Sequence, residues 1–341
     1  MKKDWIKAIC EFCNRNEISY EQNVLVDNKK IDFKIEDYFI VVEDNIDNEY
    51  LKERFSFYKE KHIIVAAKTK NATEVFGKPN SYKSNGLRYL KKCPTPLIGI
   101  DVDLFIEPEF PYSPDRPKCF YEVRVGKDRS SHEAFFDEKF RWEMIKNRIE
   151  YSGGYIDGKQ ILMAMNVTRK CKQPSWYSVA FAKRVMEEYC TSNTIVDPFA
   201  GWGARSDAAQ ALHKCYIACD LNEELVAWHQ SKGRNIVYCD ANDFKYDGDC
   251  SVFICPPYQD VETYFDGQNL VTTQCEWLLR TMQNIPNARE YVLTCKVIDK
   301  GWERFVKGDK INKSHFGVNK EHIIVVTNEE AKELLKEYER K

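Results

Sequence analysis

No run of about 18 consecutive apolar residues occurs in the 341-residue chain, so no membrane-spanning helix is expected. The basic opening Met1-Lys2-Lys3 leads into Asp4 rather than an apolar stretch, and no secretory signal is expected. No Gly-x-x-x-x-Gly-Lys-Ser/Thr sequence is present, which counts against ATP chemistry. Neither sign of charge dominates: 51 Lys and Arg face 53 Asp and Glu, for a net charge of −2. That balance neither suggests nor excludes nucleic acid, because binding needs only a local basic face. Cys10 and Cys13 form one Cys-x-x-Cys, but no second pair lies at zinc spacing, so no metal site is expected. The 13 cysteines are odd in number and scattered, which reads as reduced, mostly buried thiols in the cytoplasm rather than a disulfide framework.

What is present is a long chain with 43% hydrophobic and 30% charged residues, a globular composition with room for two domains. Residues 4–16 read as an amphipathic helix, with Trp5, Ile6, Ile9, Phe12 and Cys13 on one face. Strand-like runs follow at 23–26, 31–35 and 39–43, then a charged helix at 49–61 and a strand at 62–67. Residues 70–95 are polar and aperiodic and read as a linker. Residues 97–107 are strand-like, 108–117 proline-rich and irregular, and 135–149 helical. Beyond the break at Ser152-Gly153-Gly154, strands and helices alternate. Strands are expected at 161–167, 195–196, 215–219, 236–239, 250–254, 291–295 and 322–327. Helices are expected at 175–190, capped by Ser175, and at 205–213 and 223–232. The pattern predicts an α/β fold: a doubly wound, mostly parallel sheet preceded by a smaller α/β domain. The expected boundaries are 1–95 for that small domain, 96–158 for a connecting segment and 159–341 for the larger domain.

Two motifs sit at strand ends in the larger region. Asp197-Pro198-Phe199-Ala200-Gly201-Trp202-Gly203 follows its first short strand, and Cys255-Pro256-Pro257-Tyr258 follows a later one. Doubly wound sheets bind ligands at the carboxyl ends of their strands. Glycines let the backbone approach a ligand closely, and the next helix start offers free N–H groups. Asp220 ends the following strand, where a carboxylate can accept ribose hydroxyls, and Asp240 ends the third, suited to an adenine amino group. Acidic residues in this series fit an uncharged ribose better than a diphosphate. The plainer alternative is a structural glycine turn.

Residues 160–327 resemble the amino-methyltransferase superfamily, particularly phage and bacterial DNA adenine-N6 or cytosine-N4 methyltransferases. Asp-Pro-Phe-Ala-Gly-Trp-Gly is similar to that family's D-P-F-x-G-x-G motif, and Cys-Pro-Pro-Tyr to its catalytic D/N/S-P-P-Y. The resemblance implies S-adenosylmethionine as cofactor, held by Asp197, Phe199, Gly201, Gly203, Asp220 and Asp240. Gln173 and Pro174 would close over the methionine end. It implies direct attack of a base amine on the methyl group. Cys255 and the Pro256 carbonyl would accept hydrogen bonds from that amine, Pro257 would complete the motif, and Tyr258 would stack on a flipped-out base. Cys255 departs from the pattern, since a thiol is a weak acceptor. It leaves open a weaker acceptor, a nucleophilic cysteine, or binding without catalysis.

DNA is the implied partner, with RNA as the alternative. Arg205 suits either a phosphate contact or internal packing. Asp260, Glu262 and Tyr264 suit either a pocket mouth or a solvated loop. Arg304, Lys307, Lys310, Lys313 and Lys320, interleaved with Trp302, Phe305, His315 and Phe316, suit nucleic-acid contact or a plain charged face. In the N-terminal region Asp32 and Glu43 outline a weak resemblance to the PD-(D/E)xK nuclease fold. Asn45 stands where that pattern has Lys.

Overall fold

The computed structural model describes residues 1–44, 46, 48–70, 72–77, 97–125, 129–151, 154–168, 171, 174, 177–257, 262–263, 273–295, 298–312 and 320–340. The expected linker at 70–95 falls largely outside them. The chain divides into two compact units, one of residues 1–112 with 128–173, the other of 113–127 with 174–341.

The first unit opens with α1 (Lys2–Asn16), which buries Ile9, Phe12 and Cys13. An antiparallel meander follows: β1 (Tyr20–Val26), β2 (Lys29–Ile35) and β3 (Tyr38–Glu43). After α2 (Asn48–Glu60), β4 (Ile64–Ala67) returns parallel to β3; α3 (Ala72–Phe76) and β5 (Ile98–Asp101) extend the unit. The strand expected over 97–107 stops at Asp101. Its carboxylate accepts the Asp103 N–H at 3.1 Å and turns the chain into a 3-10 helix, Val102–Phe105.

The excursion into the second unit carries a 3-10 helix, Lys118–Tyr121, and β6 (Arg124–Val125). Back in the first unit, the single helix expected at 135–149 is two, α4 (Ser131–Phe136) and α5 (Glu138–Tyr151). Asp137 divides them, because its side chain caps the second by accepting the Phe140 N–H. β7 (Gly154–Ile156) completes the sheet order β1-β2-β3-β4-β5-β7. The strand expected at 161–167 is instead a helix, α6 (Gly158–Thr168). Its Leu, Met and Ala favour helix, and Asp157 accepts the Gln160 N–H at its start; short apolar runs do not distinguish the two states.

The second unit holds the doubly wound sheet. Its elements are α7 (Val179–Tyr189), β8 (Thr194–Asp197), α8 (Ala204–Ala211), β9 (Cys215–Asp220), α9 (Glu223–Ser231), β10 (Ile236–Tyr238), β11 (Cys250–Ile254), β12 (Glu262–Thr263), α10 (Gln274–Asn284), β13 (Ala288–Cys295), β14 (Val306–Asn312), β15 (Lys320–Thr327) and α11 (Asn328–Glu339). Helix α7 starts later than expected, because Ser178 rather than Ser175 supplies the cap.

The strand order is β10-β9-β8-β11-β13-β15-β14, parallel from β10 to β13, with β15 antiparallel to β13 and to β14. Successive side chains enter opposite layers. Ile195, Phe253 and Val292 join α7 and α8 on one face; Val196, Val252, Ile254, Tyr291 and Leu293 join α10 and α11 on the other. The order reverses between β8 and β11, so a crevice is expected at their carboxyl ends. Both sequence motifs begin there.

Candidate active site

The turn after β8 is built on a buried charge. Asp197 is fully buried. One carboxylate oxygen takes the Arg205 Nε–H at 2.5 Å and the Tyr216 hydroxyl at 2.6 Å; the other takes the Phe199 N–H at 2.9 Å. Arg205 also donates to the Phe199 carbonyl, and its guanidinium lies 5.3 Å from the Tyr177 ring and 5.9 Å from the Phe253 ring. Burial opposes the charge on Arg205, but Asp197 beside it outweighs that and keeps the group ionised. Arg205 is thus a packing residue of the turn, and Asp197 spends its carboxylate on internal donors.

Gly201 and Gly203 both adopt the left-handed region, φ 53° and 90°. At Gly203 a Cβ would lie 2.7 Å from Arg234 and 2.8 Å from His229. His229 is fully buried, and burial brings its pKa down to about 4. Arg234 can only donate, so it bonds Nδ1 at 3.1 Å; Nε2 then carries the proton and donates to the Gly201 carbonyl at 2.8 Å. At Gly201 a Cβ would find nothing nearer than 3.8 Å, so one side of the turn is open to an approaching ligand.

Asp220, at the end of β9, accepts the Gly201 and Asn222 N–H groups, each at 3.0 Å, on separate oxygens. Burial pushes its pKa up to about 6, despite those two donors. Each oxygen keeps a further lone pair. Asp240, past β10, accepts from the Asn242 N–H and side chain and is half-buried. Across the switch point, Cys255 is half-buried against the α7–α8 core layer. Pro256 is buried and its carbonyl accepts the Gln274 amide at 3.2 Å; Pro257 is half-buried. Phe199 meets Trp277 edge to face at 5.1 Å. Pro174 is buried; Gln173 and Tyr258 lie outside the described residues.

The structure therefore gathers Gly201, Gly203, Asp220 and Cys255 at the ends of adjacent strands β9, β8 and β11. Tyr177, Gln274 and the aromatic ring of Phe120, 5.0 Å from Trp202, are parts that motif reading missed. Of the charged stretch near β14, Arg304 pairs with Glu337 at 3.7 Å and stacks over Phe305; Lys313, His315 and Phe316 lie outside the described residues, as do Asp260 and Tyr264. In the first unit, Asp32 is held by Lys2 and the Val42 N–H, and Glu43 by Arg54 and Tyr58. Among the described residues no group of three or more His, Cys, Asp or Glu is placed to hold a metal, and no helix is long and apolar enough to cross a membrane.

A glycine turn at the switch point, with a carboxylate closing the neighbouring strand, defines a nucleoside-binding α/β fold. The DNA methylase family of N6/N4 methyltransferases matches residues 6–231, about two thirds of the chain, and the protein belongs to that family. Its fold is accordingly that of the S-adenosylmethionine-dependent methyltransferases. The match includes the glycine turn and ends before Cys255.

No curated protein matches the chain. Among solved structures, TrmN from Thermus thermophilus is similar at 13% identity and a TM-score of 0.32, covering 44% of this chain and 47% of its own. This chain thus spans about half the length of that protein. The magnesium protoporphyrin IX methyltransferase of Synechocystis PCC 6803, solved with bound SAM, is similar at 13% identity and a TM-score of 0.31, covering 44% and 75%. M. capricolum TrmK, solved with S-adenosyl-homocysteine, is similar at 13% and 0.31, covering 43% and 67%.

Proposed function

We propose that this protein methylates an exocyclic amine of a nucleic-acid base, adenine N6 or cytosine N4 in DNA. The observation that carries the reading is the placement of the glycine turn and Cys255-Pro256-Pro257 on adjacent strands at one switch point. When bound, S-adenosylmethionine supplies an electrophilic methyl group. Gly201 and Gly203 let the backbone approach it, Asp220 accepts its ribose hydroxyls, and Asp240 and Phe199 flank the adenine. Gln173 and Pro174 cover the methionine end.

The Pro256 carbonyl has a second lone pair beside its bond to Gln274, and with Cys255 it accepts hydrogen bonds from the target amine. Accepting those protons concentrates the lone pair on nitrogen. Tyr258 stacks on the base. The charged stretch around β14 contacts the phosphate backbone. Cys255 favours one second reading, a chain that binds cofactor and DNA without turnover, because a thiol accepts hydrogen bonds poorly.

Incubation with isotopically labelled S-adenosylmethionine and, separately, duplex DNA, single-stranded DNA and RNA, followed by nucleoside mass spectrometry, tests both readings. Labelled N6-methyladenine or N4-methylcytosine in DNA is expected. Tyr258→Ala should abolish it with cofactor still bound, and Cys255→Asn should retain or raise it. Cofactor binding without label in any polymer supports the non-catalytic reading; label in RNA alone overturns the DNA assignment.

Asp220 makes cofactor affinity pH-dependent. Its raised pKa marks an ionised form that the free protein disfavours, and donors from ribose hydroxyls stabilise that form. Affinity is therefore expected to be full above pH about 6 and to fall as the carboxylate protonates below it. Charge-assisted bonds of about 1.5–3 kcal/mol predict that Asp220→Ala weakens binding roughly 10- to 100-fold and removes the pH dependence. Titration calorimetry from pH 5 to pH 8 checks both; an unchanged dissociation constant would refute the ribose role.

A further inference from the structure

Residues 113–127 belong to the unit that holds the glycine turn, although the chain on either side of them belongs to the other unit. The segment is anchored by burial: Cys119 and Phe120 are at most 1% exposed, Tyr121 and Val123 at most 4%. Phe120 packs edge to face on Trp202, which stands between the two glycines, at 5.0 Å between ring centres. The Arg116 guanidinium covers Phe120 at 4.6 Å. Next to Phe120, burial drives the Cys119 thiol up to about 12, and Glu224 and Asp220 are close enough to add to that rise. A few residues further on, β6 pairs antiparallel with β12, Val125 opposite Glu262 and Arg124 opposite Thr263. Strand β12 begins four residues after Tyr258.

One short segment therefore touches the turn after β8 and the chain that follows the Pro-Pro motif. Direct transfer needs donor and acceptor atoms about 3–3.5 Å apart and aligned, so two loops on different strands must hold a fixed separation. We infer that the segment 113–125 is a positioning element of the transfer site, in which Phe120 sets the cofactor turn through Trp202 and β6 holds β12, which comes after Cys-Pro-Pro-Tyr in the chain. The inference rests on the reading of the glycine turn as the methyl-donor site.

The two ends of the segment act on different quantities, and that separates positioning from general stability. An edge-to-face ring pair contributes beyond its buried area, whereas leucine fills similar space without the ring. In the full-length chain, Phe120→Leu is expected to raise the dissociation constant for S-adenosylmethionine about fivefold, and Phe120→Tyr to restore it. Val125→Pro, which puts a ring without an N–H into the two-residue β6–β12 ladder, is expected to leave that constant within twofold and to lower methyl transfer to bulk DNA or RNA more than tenfold. Calorimetry with S-adenosylmethionine and with S-adenosylhomocysteine reads the first effect, labelled transfer the second, and thermal melting the fold.

A Phe120→Leu chain that binds both ligands like wild type overturns the inference while the cofactor site stands. Equal loss of melting temperature, affinity and transfer in all three variants, Phe120→Tyr included, also overturns it, because that is the signature of a merely structural role. Wild-type chain that binds neither ligand overturns the reading of the turn itself, and the inference with it.

Discussion

Asp197→Ala is expected to destabilise the second unit by about 3–5 kcal/mol, enough to leave little folded protein at 37 °C. The substitution removes a carboxylate that is fully buried and holds three donors. Arg205 would remain charged and 4% exposed, with the Phe199 carbonyl, the Tyr216 hydroxyl and two aromatic faces beside it but no anion in contact. The Tyr216 hydroxyl and the Phe199 N–H would lose their acceptor as well. Breaking a buried ion pair costs far more than the pair contributes, since the remaining partner stays desolvated. Asp197→Asn, which keeps an acceptor for Phe199, should fall between wild type and alanine. Asp197→Leu combined with Arg205→Met should recover part of the loss, because both charges leave together. Urea unfolding measures the series. An alanine variant within 1 kcal/mol of wild type would show that water or rearrangement satisfies Arg205, contrary to its burial.

Gly203→Ala carries the next largest effect, about 2–4 kcal/mol, from two sources. The residue sits at φ 90°, which an L side chain adopts only at a cost, and its Cβ would collide with Arg234 and His229. Neither neighbour yields cheaply. His229 is locked between the Gly201 carbonyl and Arg234, and Arg234 is tied to Asp207 at 2.6 Å. Any relief moves the Gly201 carbonyl, so cofactor binding should fall with stability. Gly201→Ala also has positive φ but meets no atom within 3.8 Å, so it should cost less in folding and act mainly on the ligand. Melting curves with and without S-adenosylmethionine separate the two. Equal losses at both glycines, in stability and in affinity, would mean that the crowding at Gly203 is not what distinguishes them.

The sequence by itself determined the alternating α/β pattern, strands ending within one residue of Asp197 and Asp220 and at Ile254, and the two motifs that follow β8 and β11. These follow from local rules: apolar runs of strand length and glycines where the chain turns. It misplaced the run at 161–167, because a short apolar segment satisfies both periods; its Leu, Met and Ala, with Asp157 at the start, favour helix. It also could not separate Asp197 from Asp220. Both end strands and both are acidic, yet one lies under Arg205 and Tyr216 and the other bridges to Gly201. That distinction belongs to the register of β8 with β9, Asp197 opposite Ala218, which carries Asp220 two residues past the pairing.

Only the tertiary structure decided that Phe120, 82 positions before Trp202, packs on it, that Val125 pairs with Glu262, and that Gln274 bonds to Pro256. No periodicity records such meetings. They arise because segments far apart along the chain meet only when it folds, and there bury aromatic and apolar surface together.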